Sequence, residues 1–197
     1  MPNISSHMIV ALEVGKRINI NSKEFIKGNL LPDIIDIKDS HHKVERGPYL
    51  VPDIDYFLQH LDFSKDINIG YLVHLLLDKH YLEDYLLQLY PNRNIFLDQE
   101  VYKDYDYLNY RFVKKYKLDV DYLEEILKDF DCKIKEETLK YNIECLKQQT
   151  EGKTKYLDFD SFSDFITNIS DTICKELIDY ADKYSQLSIR IRQWKKY

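Results

Sequence analysis

His74 and Asp78 stand four residues apart in the stretch GYLVHLLLDKHYLEDY, Gly70 to Tyr85, inside a run that is almost continuously apolar from Ile67 to Leu77. The run reads as helix. Four residues are about one helical turn, so the two side chains stack on one face. A helix that is apolar on all sides is buried. An ionised carboxylate placed there costs several kcal/mol unless a positive or hydrogen-bonding partner compensates it. A metal ion is the compensation expected here, because imidazole nitrogen and carboxylate oxygen are the donors zinc and similar metals accept. Taken alone, the two residues also suit a simple i,i+4 hydrogen-bonded pair.

Further donors of the same types lie upstream: His7, Asp33, and one of the pair His41–His42. They come from separate segments, as in a bundle whose ligands project inward from facing helices. Ser5 and Ser6 read as N-caps of a first helix running to about Asn19, with His7 in its first turn. The dipole there favours a neutral imidazole. SKEFIK, Ser22 to Lys27, reads as a short second helix stopped by Gly28. Pro32 disfavours helix before it, which puts Asp33 in a turn or at the start of a new segment. The polar tract from Asp39 to Pro52, with Gly47, Pro48 and Pro52, reads as a loop carrying the histidine pair.

Asp53 opens a helix, DIDYFLQHLDF, and Asp66 caps the central helix, which extends to about Leu89. Amphipathic helices follow over Asp98 to Lys117, Asp119 to Phe130, Glu136 to Gln148 and Asp158 to about Trp194. His42, His60 and His80 read as surface or packing residues. The RIRQWKKY terminus reads as a solvated helix end, and the 17 tyrosines as packing residues with wet hydroxyls.

Composition agrees with a helical chain. Five Gly and five Pro in 197 residues leave room for few turns, and 44% apolar residues supply a sizeable core. The expectation is one all-α domain over 1–197, of about seven or eight helices, with a metal-ligand half at 5–90 and a helical half at 98–197 that completes core and pocket. A net charge of -6 argues against stable nucleic-acid binding, which needs a basic face. Cys132, Cys145 and Cys174 are widely spaced and form no CxxC pair, so a reducing compartment fits. The N-terminus has no signal-peptide pattern and no stretch suits a transmembrane helix, so the expected location is cytoplasmic. The long Tyr- and Leu-rich helices suit a homodimer face as well as a core.

The order of these pieces resembles the zinc-dependent phospholipase C family, whose fold is shared with the fungal single-strand-specific nucleases. The matching residues are Ser6-His7-Met8, GNLLPD from Gly28 to Asp33, Ser40-His41, and Gly-Tyr-Leu-x-His-x-x-x-Asp from Gly70 to Asp78. The resemblance covers about residues 5 to 90. It implies an all-α bundle with a metal site in its core and a hydrolase of phosphoesters acting through a metal-activated water. A phospholipid headgroup, a nucleotide or a small phosphoester would be the substrate. It also implies that Asp33, His41, His74 and Asp78 surround one zinc or other divalent ion. His7 would belong to a second ion, with Asp78 shared between the two. His41 rather than His42 takes the family's position after the serine.

Members with three metals carry a further histidine and an H-x-x-x-E pair downstream. Asp84 stands where that histidine falls, and no histidine follows His80, so one or two ions are implied. Asp33 and Asp78 are the candidate catalytic carboxylates, with Asp36 and Asp84 as further possible proton acceptors. Two other classes are weighed against this. An HD-type phosphohydrolase needs a His-Asp dipeptide, which is absent. A non-catalytic helical protein with a structural or degenerate metal site needs no downstream ligands.

Overall fold

Gly28 and Gly70 face one another's helices without side chains, and this decides the architecture. A Cβ on Gly28 would lie 1.9 Å from the carbonyl oxygen of Ile67, and one on Gly70 2.0 Å from that of Phe25. The two backbones therefore touch, and the helices that carry them form the most extensive helix pair of the fold. The computed structural model describes residues 2–92, 95–128, 130–184 and 187, without the side chains of 95–98.

The described chain runs α1 (Ile4–Ile18), α2 (Lys23–Ile34), β1 (Lys43–Arg46), β2 (Tyr49–Pro52), α3 (Ile54–His60) and α4 (Asp66–His80). A π-helical turn (Tyr81–Leu86) and α5 (Leu87–Leu89) prolong α4, and α6 (Ile95–Tyr116), α7 (Val120–Ile126), α8 (Glu136–Lys147) and α9 (Phe159–Lys183) follow. The structure is mostly helical, with a single two-stranded sheet among the described residues, as expected of an all-α chain. No described helix is long and apolar enough to cross a membrane.

Several local readings are corrected. The cap of α1 is Asn3, whose side chain accepts from the Ser6 N–H, and Ser5 and Ser6 are themselves helical. Gly28 does not stop α2, which continues through Pro32 to Ile34. A glycine serves helix termini and close packing alike, and here it is the packing that selects it. Pro32 removes one helical hydrogen bond, and the helix ends two residues later. Asp33 consequently sits in the last turn of α2 rather than in a separate turn.

The tract from Asp39 to Pro52 is not all loop. Lys43↔Pro52 through Arg46↔Tyr49 pair as an antiparallel hairpin around Gly47, at φ 56. Its inward residues Tyr49 and Val51 are buried, and the Tyr49 hydroxyl donates to the Tyr90 carbonyl at 3.0 Å, holding the hairpin against the end of the central helix. Lys65 rather than Asp66 is the N-cap of α4. Asp53, Asp119 and Asp158 cap α3, α7 and α9 as read from the sequence. The C-terminal stretch of the long helix that the sequence extends to Trp194 lies outside the described residues beyond Tyr184, apart from Leu187.

Phe162, Ile166, Ile173 and Leu177 of α9 are fully buried, as are Met8, Val10 and Val14 of α1. Leu30 and Ile34 of α2 join the same core. The buried Asp104 of α6 accepts backbone N–H bonds from Lys155, Tyr156 and Leu157 at 2.9, 2.6 and 2.8 Å, fixing the loop that leads into α9.

Because the α2–α4 contact is backbone to backbone, no side-chain rotation relieves an added methyl. Gly28→Ala and Gly70→Ala are each expected to destabilise the protein by about 3 kcal/mol or more in denaturant titrations. Gly47→Asn, at a left-handed position with open space around it, is expected to cost less than about 1 kcal/mol.

Candidate metal centre

The α2–α4 contact brings Asp33, in the last turn of α2, against the histidine-bearing face of α4. His74 Nε2 lies 3.8 Å from Asp33 Oδ1 and 3.5 Å from Asp78 Oδ2. His41, delivered by the segment between α2 and the hairpin, places its Nε2 at 3.5 Å from Asp33 Oδ1, 3.3 Å from Asp78 Oδ2 and 3.3 Å from His74 Nε2. On the other side of the carboxylate, His7 Nε2 of α1 is 3.4 Å from Asp78 Oδ1. The His7 and His74 rings stack at 3.9 Å. All five candidate residues therefore meet at one place. His7, His74 and Asp78 are completely buried, and His41 nearly so.

The hydrogen bonds around the rings determine what faces inward. His74 Nδ1 lies 2.7 Å from the carbonyl oxygen of Asn29, which can only accept, so the Nδ1 carries the proton. The Ser40 hydroxyl donates to the Pro32 carbonyl at 2.6 Å and so accepts from His41 Nδ1 at 3.1 Å. In the neutral rings both Nε2 atoms are then bare lone pairs, 3.3 Å apart, facing two carboxylate oxygens. Asp33 Oδ1 and both oxygens of Asp78 have no hydrogen-bond donor.

Four converging lone pairs repel one another unless a positive charge lies among them. A tetrahedral ion with bonds of about 2.1 Å sets its ligands about 3.4 Å apart. His41 Nε2 and His74 Nε2 lie 3.3 to 3.8 Å from each other, from Asp33 Oδ1 and from Asp78 Oδ2, and the trios Asp33–His41–His74 and His7–His74–Asp78 each converge closely enough to hold an ion. The residues present thus fit a metal ion. Asp78 turns its second oxygen to His7, the arrangement of a bridging carboxylate.

A proton on His41 is the competing way to place positive charge in the cluster. Burial depresses the His41 imidazole, but Asp33 and Asp78 outweigh burial and hold it up at about 8. Burial works against both carboxylates, yet His74 and His41 keep Asp33 and Asp78 below the usual carboxylate range. Burial, with His74 beside it, pushes His7 down, so this ring stays neutral. The reason for His7's neutrality is therefore desolvation more than its place in the first turns of a helix.

His42 points elsewhere and stacks on Tyr56 at 3.7 Å, which separates it from His41 in role. Asp36 pairs with Lys133, and Asp84 with His80, so neither reaches the cluster as a proton acceptor. His80 takes the packing role of the two open to it, buried and bridging Asp84 at 2.5 Å and Glu176 at 3.1 Å. His60 is exposed.

The sequence reading missed the residues that aim the donors. Asn29 is fully buried. Its carboxamide, in the orientation that satisfies both ends, donates to the His7 carbonyl at 2.8 Å and accepts from the His74 N–H at 3.2 Å. The Tyr71 hydroxyl donates to the Ser40 carbonyl. A polar Asn directly after a packing glycine in an apolar helix was the available signal for Asn29. No family model, curated protein or solved structure matches the chain.

The proton and the metal have opposite pH signatures. A His41 raised to about 8 from an unfolded value near 6.5 contributes about 2 kcal/mol, fully present below pH 6.5 and lost as pH rises through 8. The neutral-buried His7 adds no slope in this window, since its shift acts below 6.5. Chelator-treated protein is therefore expected to lose stability from pH 6.5 to 8. With zinc added, the metal-induced rise in Tm is expected to grow over the same range, because protons compete for the imidazoles. A zinc increment that is zero throughout this range would leave the proton as the only occupant.

Proposed function

We propose that the chain is a metal-dependent hydrolase of phosphoesters, holding one or two zinc or other divalent ions. The observation that carries the reading is the convergence of bare donors in two trios, Asp33–His41–His74 and His7–His74–Asp78, with Asp78 also facing His41. Asp33, His41, His74 and Asp78 would hold the first ion. His7 and Asp78 Oδ1 would contribute to a second position. Bound there, such ions supply Lewis acidity toward phosphoryl oxygens and acidify water.

The chain's own groups supply the rest. Asp78 would offset the charge of the ions from a fully buried position. Asp33, partly exposed on its side chain, lies at the wall of a cavity of about 270 Å³ and can take a proton from the attacking water. Asn29 and Ser40 keep both first-site imidazoles presenting Nε2. The ordered likeness of the donor segments to the zinc-dependent phospholipase C family supports a phosphoester as substrate, whether lipid headgroup, nucleotide or smaller. The three free cysteines support a cytoplasmic setting.

The second reading is a helical protein with a structural metal. All the donors are protein side chains in a largely buried place, and closed sites supplied wholly by protein are structural.

Protein purified without chelator is expected to contain stoichiometric metal. His74→Ala and Asp78→Asn should each weaken zinc binding by roughly 100-fold or more, measured by competition with a chromogenic chelator. His7→Ala should keep the first ion and lose turnover of bis(p-nitrophenyl) phosphate. Full metal retention in both first-site variants would refute the assignment. A zinc-loaded wild type inert toward phosphomonoesters and phosphodiesters would select the structural reading.

A further inference from the structure

His41 differs from the other donors in how it is carried. His7, Asp33, His74 and Asp78 sit on α1, α2 and α4, whereas His41 sits on the irregular span between Ile34 and Lys43. Its Nε2 closes the trio with Asp33 and His74 and faces Asp78. His41 is 7% exposed and stands against two fully buried groups, His74 and Asp78.

The span is fastened at both ends. The Asp36 N–H donates to the Lys133 carbonyl at 3.0 Å, and the Asp36 carboxylate pairs with Lys133. At the far end the His42 carbonyl accepts from the Asp53 N–H at 3.0 Å, and the His42 ring lies on Tyr56 at 3.7 Å. Between these fastenings Ile37, Lys38 and Asp39 are exposed, while Ser40 and His41 turn inward. Ile37, the large apolar side chain of the span, is 54% exposed. A span with so little buried apolar surface opens at a lower free energy than the helices around it.

Its backbone is also unfavourable. Asp39 at φ 58 and His42 at φ 40 lie in the left-handed region, on either side of Ser40 and His41. Residues with a Cβ adopt this conformation rarely, and such strain persists where the surroundings hold it. The hairpin uses Gly47 for a similar φ of 56, but here the chain has Asp and His. The His42 N–H donates to the Asp39 carbonyl at 3.0 Å, so the two left-handed residues close a turn with Ser40 and His41 at its centre. Bonds from the Ser40 hydroxyl to the Pro32 carbonyl and from the Tyr71 hydroxyl to the Ser40 carbonyl draw the turn inward. At its tip the lone pair of His41 Nε2 meets those of His74 and Asp78, each at 3.3 Å. A bound ion turns that repulsion into attraction.

We propose that Ile37 to His41 is a strap that the metal closes. Asp33, His74 and Asp78, set on packed helices, receive the ion first, and His41 swings in last. Without an ion the strap relaxes at Asp39 and His42 and opens the cluster beside Asp33. The proposal rests on the metal reading above and adds to it the order in which the donors engage.

Hydrogen exchange of the full chain, in chelator and in chelator-buffered zinc, reads the strap without turnover. At about pH 8.5 a proton on His41 no longer stands in for the ion. In chelator the His42 amide is expected to exchange within about tenfold of an unstructured peptide, while amides of α2 and α4 stay protected. Zinc is expected to slow the His42 amide by about tenfold or more. Asp39→Val puts a β-branched residue where the closed strap needs a left-handed one. It should weaken zinc binding by about tenfold and leave the Tm in chelator unchanged. Asp39→Gly should tighten zinc by about threefold, and Asp39→Asn, which tolerates the same conformation, should stay within about twofold. A residue that served the fold alone would lower the Tm of Asp39→Val equally with and without zinc. That result, or a His42 amide protected as well in chelator as in zinc, would overturn the strap and leave the metal centre standing. A protein that binds no zinc would overturn the metal reading and the strap together.

Discussion

The contact between α2 and α4 through Gly28 and Gly70 is the constraint on which the other features depend. Carbonyl oxygens of Ile67 and Phe25 occupy the space that Cβ atoms would take. At that separation Asn29 reaches the backbone on both sides of it, and its carbonyl oxygen meets the ring of His74. One turn further on, Asp33 comes level with His74 and Asp78. Had the helices packed through ordinary side chains, at the usual 8–10 Å between axes or more, Asp33 would not approach His74 so closely. Two residues without side chains thus govern the position of those with the most chemistry.

A second consequence concerns charge. Asp78 is fully buried and its oxygens receive no hydrogen bond. Buried carboxylates in proteins are held by donors or by cations, because desolvation outweighs what packing returns. The neighbours of Asp78 are three imidazoles, and two of them have their protons committed to Asn29 and Ser40. The hydrogen bonds that orient those rings, one to the Asn29 carbonyl and one to the Ser40 hydroxyl, are what convert an ion-pair network into a set of facing lone pairs. The protein's polar interior is thereby arranged around a positive charge from outside its own side chains or around a single contested proton.

The sequence was legible where the signal is carried by side-chain type. The helical class, the extent of α8, and the Asp caps at positions 53, 119 and 158 follow from periodicity and capping chemistry, whereas α3 stops at His60, short of the Phe63 end of the segment read as helix. His74 and Asp78 stand out because His and Asp in an apolar run are unusual, whereas His7, Asp33 and His41 are reached through their donor type and the resemblance of the segments that carry them. Less could be read where the signal lies in the main chain. Gly28 looks the same in sequence whether it ends a helix or admits another backbone. The β1–β2 hairpin is short and its strand pattern is diluted by Lys43, Glu45 and Arg46. Asn29 holds the His74 ring through a carbonyl that every residue possesses, so that part of its role has no signature, and only its polar side chain beside Gly28 marks the position. For His80 the sequence leaves surface and packing roles open, because Glu176, its partner from α9, is distant in the chain.

The donors also have an order in time. His7, Asp33, His41, His74 and Asp78 all precede the end of α4, whereas the cover over them is made later: Asn109 of α6 accepts the Ser5 N–H at 3.2 Å, and α9 packs along α1. Chains emerge from the ribosome N-terminus first and fold as their partners become available. The five donors are therefore synthesised while the residues that will close over them are still unmade. The proposed ion would at that stage meet an open half-structure, whereas in the finished fold it would pass Asp33, the donor whose side chain is most exposed. Loading and loss would then be different processes, the first governed by the pace of synthesis and the second by access past a single carboxylate.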